Sequence, residues 1–211
     1  MEQVVITGSG LICPLGADKA STFAALLAAR SGIGARPPGI AQWLPHVVVA
    51  EAAADPQNLV DRADQGLDRA TQFAVVAAAQ AVAEARLTVS PDESHGVGVY
   101  VGIGFGGSQT TDSLYTRFYN TLSDPSLKHK DPTVMHPLTV PRIMANAAAA
   151  TLSMRYGLRG ASNTYSVACA SSAMAIGEAY RAIRHAYLDA AIVVGTEAML
   201  NPGVMMGWNA L

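Results

Sequence analysis

Short β-branched runs alternate along this chain with longer segments of helical spacing. The runs with the length and composition of strands are residues 4–7, 96–103, 163–167 and 190–195. Segments that predict helices are residues 21–29, 68–85, 109–122 and 170–186. A further helix is expected between Pro141, which suits a first turn, and Gly157, which suits the position just past a helix end. This order predicts an α/β fold with a mixed, mainly parallel sheet and helices on both faces.

One junction between a strand and a helix carries candidate chemistry. Residues 163–179 join the third strand to its helix, and Cys169 stands where they meet. A sharp turn there exposes the side chain, and the N–H groups and dipole of the first helical turn favour a thiolate. The small side chains that follow predict a slim, centrally buried helix, with the alanine-rich helix before Gly157 packed tightly beside it. The alternative is an inert core cysteine.

Glycines follow the second predicted strand in a pattern with two interpretations. Gly102, Gly104 and Gly107 satisfy the G-x-G-x-x-G spacing of a dinucleotide site. That site needs a helix and then a second parallel strand ending in an acid, whereas here the helix runs into a proline- and charge-bearing loop over residues 123–137. We therefore favour a glycine turn where the backbone passes close to a neighbouring group.

Several segments resemble β-ketoacyl-acyl-carrier-protein synthases, the ketosynthases of the thiolase superfamily. In chain order these segments are residues 4–16, 67–74, 156–162, 163–179 and 190–198. Thiolases carry an Asn-Arg dipeptide shortly before their cysteine, and this chain has no such dipeptide before Cys169. Chain-length factors lack the cysteine, whereas this chain has it. The resemblance covers nearly all of the 211 residues and implies that Cys169 is a nucleophile rather than an inert core residue.

The resemblance implies a fold, a reaction and a pocket. The fold would be the first of two thiolase-like halves that stack around buried nucleophile helices. The reaction would be acyl transfer to Cys169, whose N–H stabilises the oxyanion, and then decarboxylative Claisen condensation with malonyl-acyl carrier protein in fatty acid or polyketide biosynthesis. The substrate-binding residues would be Phe105, Gly106, Gly107, Ala168, Met205 and Trp208. Phe105 would gate the pocket, although an ordinary core aromatic is its alternative, and the methionines suit a core equally well.

Family members are about twice as long and take two histidines and a lysine from their second half. None of the five histidines here matches such a position. We therefore expect residues 1–211 to form an N-terminal ketosynthase domain that needs the second half, supplied by a companion chain unless this chain is a fragment. The expected partners are an acyl carrier protein and this second half, in a homodimer or a heterodimer. The alternative function is a non-catalytic partner subunit that resembles a chain-length factor.

Composition and charge exclude several classes of protein. The chain is 50% hydrophobic and 14% charged, which predicts a surface partly covered by other protein. A net charge of -2 with scattered basic residues gives no indication of a nucleic acid partner. No apolar run reaches the roughly 18 residues of a membrane span. The two cysteines stand in unrelated contexts, and Cys13 is assigned to packing. Together with the lack of a signal-peptide pattern, this predicts a cytoplasmic protein.

No cofactor or metal is expected. Acyl groups would arrive on the phosphopantetheine arm of the carrier protein. The loop over residues 123–139 contains Lys128, His129, Lys130 and His136, but without the spacing of a metal site. We expect a solvated loop, which by resemblance lies near the dimer contact or the acyl channel.

Overall fold

The structure is a computed structural model, which describes residues 2–35, 37–126 and 135–211. The helices are α1 (Lys19–Leu27), α2 (Pro38–Ala41), α3 (Arg69–Ala85), α4 (Ser108–Ser123), α5 (Thr139–Ile143), α6 (Ala147–Tyr156), α7 (Ser171–Arg184) and α8 (Pro202–Asn209). The strands are β1 (Val97–Gly102), β2 (Ser162–Tyr165) and β3 (Ala190–Gly195). Residues 33–66 contain α2 and two short 3-10 turns. Lys128, His129 and Lys130 of the predicted loop lie outside the described residues.

A parallel sheet with β1 at its centre confirms the predicted α/β fold. The strand order is β2-β1-β3, and both pairings are parallel. Alternate residues of β1 face opposite ways: Val99 and Val101 pack in the core with α3 and α6, and Tyr100 packs with α7. Every residue of β1 is therefore buried, because helices cover both faces. The predicted sheet was mixed, whereas the strands in the described part of the chain are all parallel.

The predicted strand over residues 4–7 is wrong, because this segment forms no strand and pairs with no described strand. It is followed by two glycines that lie directly on α3: a Cβ on Gly8 would be 2.2 Å from the carbonyl oxygen of Ala81, and one on Gly10 would be 2.1 Å from that of Ala77. The N–H of Leu11 donates to Gln80 on the same helix. The N–H of Ser9 likewise donates to Glu84 of this helix, whereas Ile6 remains 90% exposed.

Glu84 on α3 ties this N-terminal segment to the helix and gives a pH-dependent prediction. A hydrogen bond from Lys19, together with the N–H and hydroxyl of Ser9, lowers the pKa of Glu84 to about 2. A carboxyl whose pKa is lower in the folded state stabilises the fold above its unfolded pKa of about 4.3. That contribution is lost as the pH falls through the folded pKa. We expect Glu84→Gln to be less stable than wild type at pH 7.

Urea denaturation from pH 7 to pH 2 checks this expectation. The difference in unfolding free energy between the two proteins should shrink between about pH 4.3 and pH 2. A difference that stays constant over that interval would contradict the ionic role of Glu84.

The small side chains after Cys169 predicted a helix buried on most faces. This prediction is wrong. α7 buries one stripe against the sheet, namely Ser171, Ala175, Ala179 and Ala182. Its outer side is open, with Met174 39% and Ile176 60% exposed. The predicted tight contact with the alanine-rich helix is also wrong, since α6 packs on α3 and on the opposite face of the sheet. No described element covers the outer side of α7.

The segment between Pro141 and Gly157 forms two helices rather than one. α5 ends at Ile143, and Met144 adopts an extended conformation with ψ 139 before α6 begins. Gly157 is left-handed at φ 65 and ends α6, as predicted. The break allows residues 143–145 to lie against the glycine turn after β1. Among the described helices, none has the length and apolar character that crossing a membrane requires.

Candidate active site

A tight elbow between β2 and α7 presents Cys169. Ala168 has φ 48, a left-handed conformation that is uncommon for a residue other than glycine. The buried hydroxyl of Ser171 accepts from the N–H of Val167 at 2.8 Å and donates to the carbonyl of Ala168 at 2.7 Å. Cys169 is exposed two residues before the first residue of α7. Its predicted place at a strand-to-helix junction is confirmed, and the inert-core alternative does not fit its exposure.

Two glycines allow the first turn of α7 to lie directly on the sheet. Gly102 and Gly195 are paired across β1 and β3. A Cβ on Gly102 would be 2.4 Å from backbone atoms of Ser171, and one on Gly195 would be 2.2 Å from the hydroxyl oxygen of Ser172. Side chains at these two positions would push the helix off the sheet. The glycines therefore set the height at which the elbow holds Cys169.

The glycine turn after β1 is fastened to the elbow and to the end of β3. Glu197 follows β3, and its Oε2 accepts from the N–H of Gly104 at 2.8 Å and from that of Phe105 at 3.0 Å. The hydroxyl of Ser166 donates to the carbonyl of Gly104 at 2.9 Å. A carboxylate thus takes the N–H groups that would bind a phosphate, which argues against the dinucleotide interpretation.

An open cleft of about 560 Å³ joins these parts. Its lining includes Gly102, Gly104, Phe105, Ala168, Cys169, Ser172, Glu197, Met199 and Trp208. Four of the predicted site residues are therefore brought together: Cys169, Ala168, Phe105 and Trp208. Phe105 is 58% and Trp208 50% exposed, so neither is an ordinary core aromatic.

Three predicted pocket residues do not line this cleft. Gly106 and Gly107 both have positive φ, and a Cβ on them would be 2.9 Å from Cα of Ala145 and 2.2 Å from Cα of Ile143. These two glycines are required for close packing of the turn against residues 143–145. Their assignment to the acyl pocket stays a prediction. Met205 is half-buried on α8 and is absent from the lining of the cleft.

Several lining and supporting residues were not assigned a role from the sequence. Glu197 is the charged residue in the described lining of the cleft. Its position two residues after a parallel strand is a usable signal, because functional groups gather at the carboxyl ends of such strands. Ser171 gave no signal, since it appeared only as one of many small residues. Its two hydrogen bonds become apparent only in the folded elbow.

The hydroxyl of Ser171 is expected to stabilise the elbow measurably. Ser171→Ala removes an acceptor from the N–H of Val167 and a donor to the carbonyl of Ala168. We expect a loss of about 1–2 kcal/mol in unfolding free energy. Chemical denaturation measures it, with Ser113→Ala, at an exposed position on α4, as a control that changes stability little. Equal stability of Ser171→Ala and wild type would contradict the role of this hydroxyl.

The chain is similar to one known protein family and to two curated relatives of it. The family described as "Beta-ketoacyl synthase, N-terminal domain" matches residues 1–211, which is the whole chain. A 3-oxoacyl-[acyl-carrier-protein] synthase 2 of Staphylococcus aureus (strain COL) is 30% identical over 213 residues, covering 99% of this chain and 49% of that protein. The protein of the same name from Synechocystis sp. is 30% identical and covers 95% of this chain and 47% of its own length. The chain spans about half the length of the curated relatives it matches.

Solved structures confirm the fold. The ishigamide ketosynthase/chain length factor has a TM-score of 0.77 at 23% identity, covering 98% of this chain and 50% of that chain. A β-ketoacyl synthase from Burkholderia phymatum has a TM-score of 0.66 at 26% identity, covering 88% and 44%. A complex of a type II polyketide acyl carrier protein with its ketosynthase gives 0.70 at 22% identity, covering 95% and 52%. The chain therefore has the thiolase-like α/β fold of ketosynthases.

Proposed function

Because this chain belongs to the β-ketoacyl synthase family, as its N-terminal domain, we propose that it is the nucleophile-bearing half of a β-ketoacyl-acyl-carrier-protein synthase. The observation that carries the proposal is the exposed position of Cys169 at the N-terminal end of α7, facing an open cleft. The N-terminal end of a helix presents free N–H groups and carries partial positive charge.

The first step is acyl transfer. The sulfur of Cys169 attacks the thioester carbon of an acyl group on the phosphopantetheine arm of an acyl carrier protein. The carbonyl oxygen becomes an oxyanion, for which the N–H of Cys169 is the proposed donor. The carbon–sulfur bond to pantetheine then breaks, and the released thiolate takes up a proton. The chain itself needs no cofactor for this step.

The condensation step needs groups from outside this chain. A malonyl unit on a second carrier protein loses carbon dioxide, and its carbanion attacks the carbonyl carbon of the acyl-cysteine. The carbon–sulfur bond to Cys169 then breaks, which releases the sulfur as a thiolate and leaves the β-ketoacyl group on the carrier protein. Histidines that stabilise the enolate come from the second half, which we propose as the partner that covers α7. The open outer side of this helix supports that assignment, because Met174 and Ile176 are exposed there. The same assembly would pair with a second copy or a related chain.

Intact mass after incubation with an acyl-carrier thioester tests the proposal. Wild type and Cys13→Ala are expected to gain one acyl group, and Cys169→Ala to gain none. Cys13 is a suitable control because it is the other cysteine of the chain, is absent from the lining of the cleft and has its sulfur against the hydroxyl of Thr22. An adduct that persists in Cys169→Ala would contradict the proposal. A wild type that gains no acyl group would favour a non-catalytic partner subunit.

Adding malonyl-carrier protein tests the need for the second half. The chain alone is expected to release no condensed product, and addition of a separately produced second half should restore it. Full condensation by residues 1–211 alone would contradict the half-enzyme assignment.

The outer side of α7 gives a prediction about this partner. Ile176→Asp places a charge on the surface that the second half would cover, so we expect loss of restored condensation while acylation of Cys169 persists. The control is Met154→Asp, which is 77% exposed on α6, the helix on the opposite face of the sheet. Equal restoration by Ile176→Asp and wild type would show that the partner covers a different surface.

A further inference from the structure

We infer that Glu197 is a positioning residue that fixes the direction of Phe105 at the cleft, and so the length of acyl group that reaches Cys169. This inference rests on the proposed function and adds to it a residue that sets specificity. Two different segments hold one peptide group of the glycine turn after β1.

The peptide group between Gly104 and Phe105 is held at both of its polar ends. Its carbonyl oxygen, on Gly104, accepts from the hydroxyl of Ser166 at 2.9 Å. Its N–H, on Phe105, donates to Oε2 of Glu197 at 3.0 Å. A peptide plane that is bound at both ends cannot rotate without breaking one of these bonds. The direction in which Phe105 leaves the main chain is thereby fixed.

The same carboxylate oxygen also holds the preceding peptide group. The N–H of Gly104 donates to Oε2 at 2.8 Å, so two consecutive N–H groups converge on one atom. A Cβ on Gly104 would be only 2.8 Å from that oxygen, which shows how closely the carboxylate lies against the main chain. The other oxygen, Oε1, is buried and has no hydrogen-bond partner among the described residues. The bonds of Glu197 therefore all serve this turn.

Packing does not supply the same restraint on Phe105. Its side chain is 58% exposed, so neighbouring side chains leave more than half of it uncovered. The position of its ring in the cleft depends on the main chain that carries it. Because Ser166 lies in the elbow that presents Cys169, the two hydrogen-bonded ends also fix Phe105 relative to the sulfur-bearing segment.

The experiment measures acylation of Cys169 in the chain of residues 1–211 with a series of straight-chain acyl-carrier thioesters, from acetyl to dodecanoyl. Initial rates come from intact mass. Wild type is compared with Glu197→Ala, Glu197→Gln and Phe105→Ala, and with the double variant Glu197→Ala/Phe105→Ala. Glutamine keeps an acceptor oxygen at the same distance from the main chain, whereas alanine removes it.

We expect Glu197→Ala to change the ratio of long-chain to short-chain rates by about tenfold, the size of a contact that discriminates acyl groups in an apolar pocket. Glu197→Gln should stay close to wild type. Phe105→Ala should change the ratio in the same way as Glu197→Ala, and the double variant should add nothing further, because both single changes remove the same restraint.

Three results would overturn the inference alone. One is an equal fall in the rates for all chain lengths in Glu197→Ala, which a merely structural residue would give. Another is a Glu197→Gln protein that behaves like Glu197→Ala, which would assign the effect to charge. The third is additivity in the double variant. If wild type is acylated by none of the thioesters, the proposed function fails, and this inference fails with it.

Discussion

Gly102→Ala is expected to destabilise the chain by about 3 kcal/mol, because the new methyl group cannot be accommodated by moving a side chain. A Cβ at this position would lie 2.4 Å from the carbonyl carbon and oxygen of Ser171 and from the nitrogen of Ser172. All three are backbone atoms of the first turn of α7. The helix itself must therefore shift away from the sheet, and the elbow that carries Cys169 must shift with it.

The same substitution is expected to reduce acylation of Cys169 by about a hundredfold, the loss that a displacement of about 1 Å causes at a reacting group. Urea denaturation and intact-mass rates measure the two effects on one protein sample. Gly177→Ala is the matched control in the same helix, since a Cβ there meets nothing within 4 Å. That control should gain about 0.5–1 kcal/mol from better helix propensity. If Gly102→Ala is as stable and as reactive as wild type, the sheet does not set the position of Cys169.

Elements whose pattern reflects local burial could be predicted from the sequence. The strand over residues 190–195 was predicted with the bounds that the structure shows, and the helix predicted over residues 68–85 is α3, with Asp68 as its N-cap. Residues 4–7 have an equally apolar pattern but form no strand, because a strand also requires a neighbour with which to pair. Hydrophobic pattern alone does not supply that neighbour. The exposed outer side of α7 is a related case, since its small residues predicted burial without identifying what would cover it.

From the sequence, the residues of the candidate site could be predicted only where they belong to one segment or were assigned by the family resemblance. Cys169 and Ala168 belong to one elbow, and resemblance placed Phe105 and Trp208 beside them. Gly106 and Gly107 were assigned to the pocket by the same resemblance, which gave no indication that their positive φ and missing side chains let the turn pack against residues 143–145. The bonds of Glu197 to Gly104 and Phe105 join residues more than ninety positions apart. No local pattern contains a contact of that range, so only the fold could reveal it.

A buried carboxylate links α3 to the first turn of α4. Asp68 is 1% exposed, and it accepts from the N–H of Ala70 at 2.9 Å, from the N–H of Thr110 at 3.0 Å and from the hydroxyl of Thr110 at 2.7 Å. The first bond caps α3, and the other two fasten the first turn of α4. Since α4 begins directly after the glycine turn, this carboxylate also holds one end of the turn that carries Phe105.

Asp68→Ala is expected to lower the free energy of unfolding by about 4 kcal/mol, because it removes three hydrogen bonds to a charged group and leaves their donors without an acceptor. Asp68→Asn keeps one acceptor oxygen and should lose roughly half as much. Urea denaturation followed by tryptophan fluorescence measures both, and Asp92→Ala, at an exposed turn, should stay within about 0.5 kcal/mol of wild type. An Asp68→Ala protein as stable as the Asp92→Ala control would mean that α4 is anchored by its other contacts, such as the hydrogen bond from Ser108 to the carbonyl of Ala198.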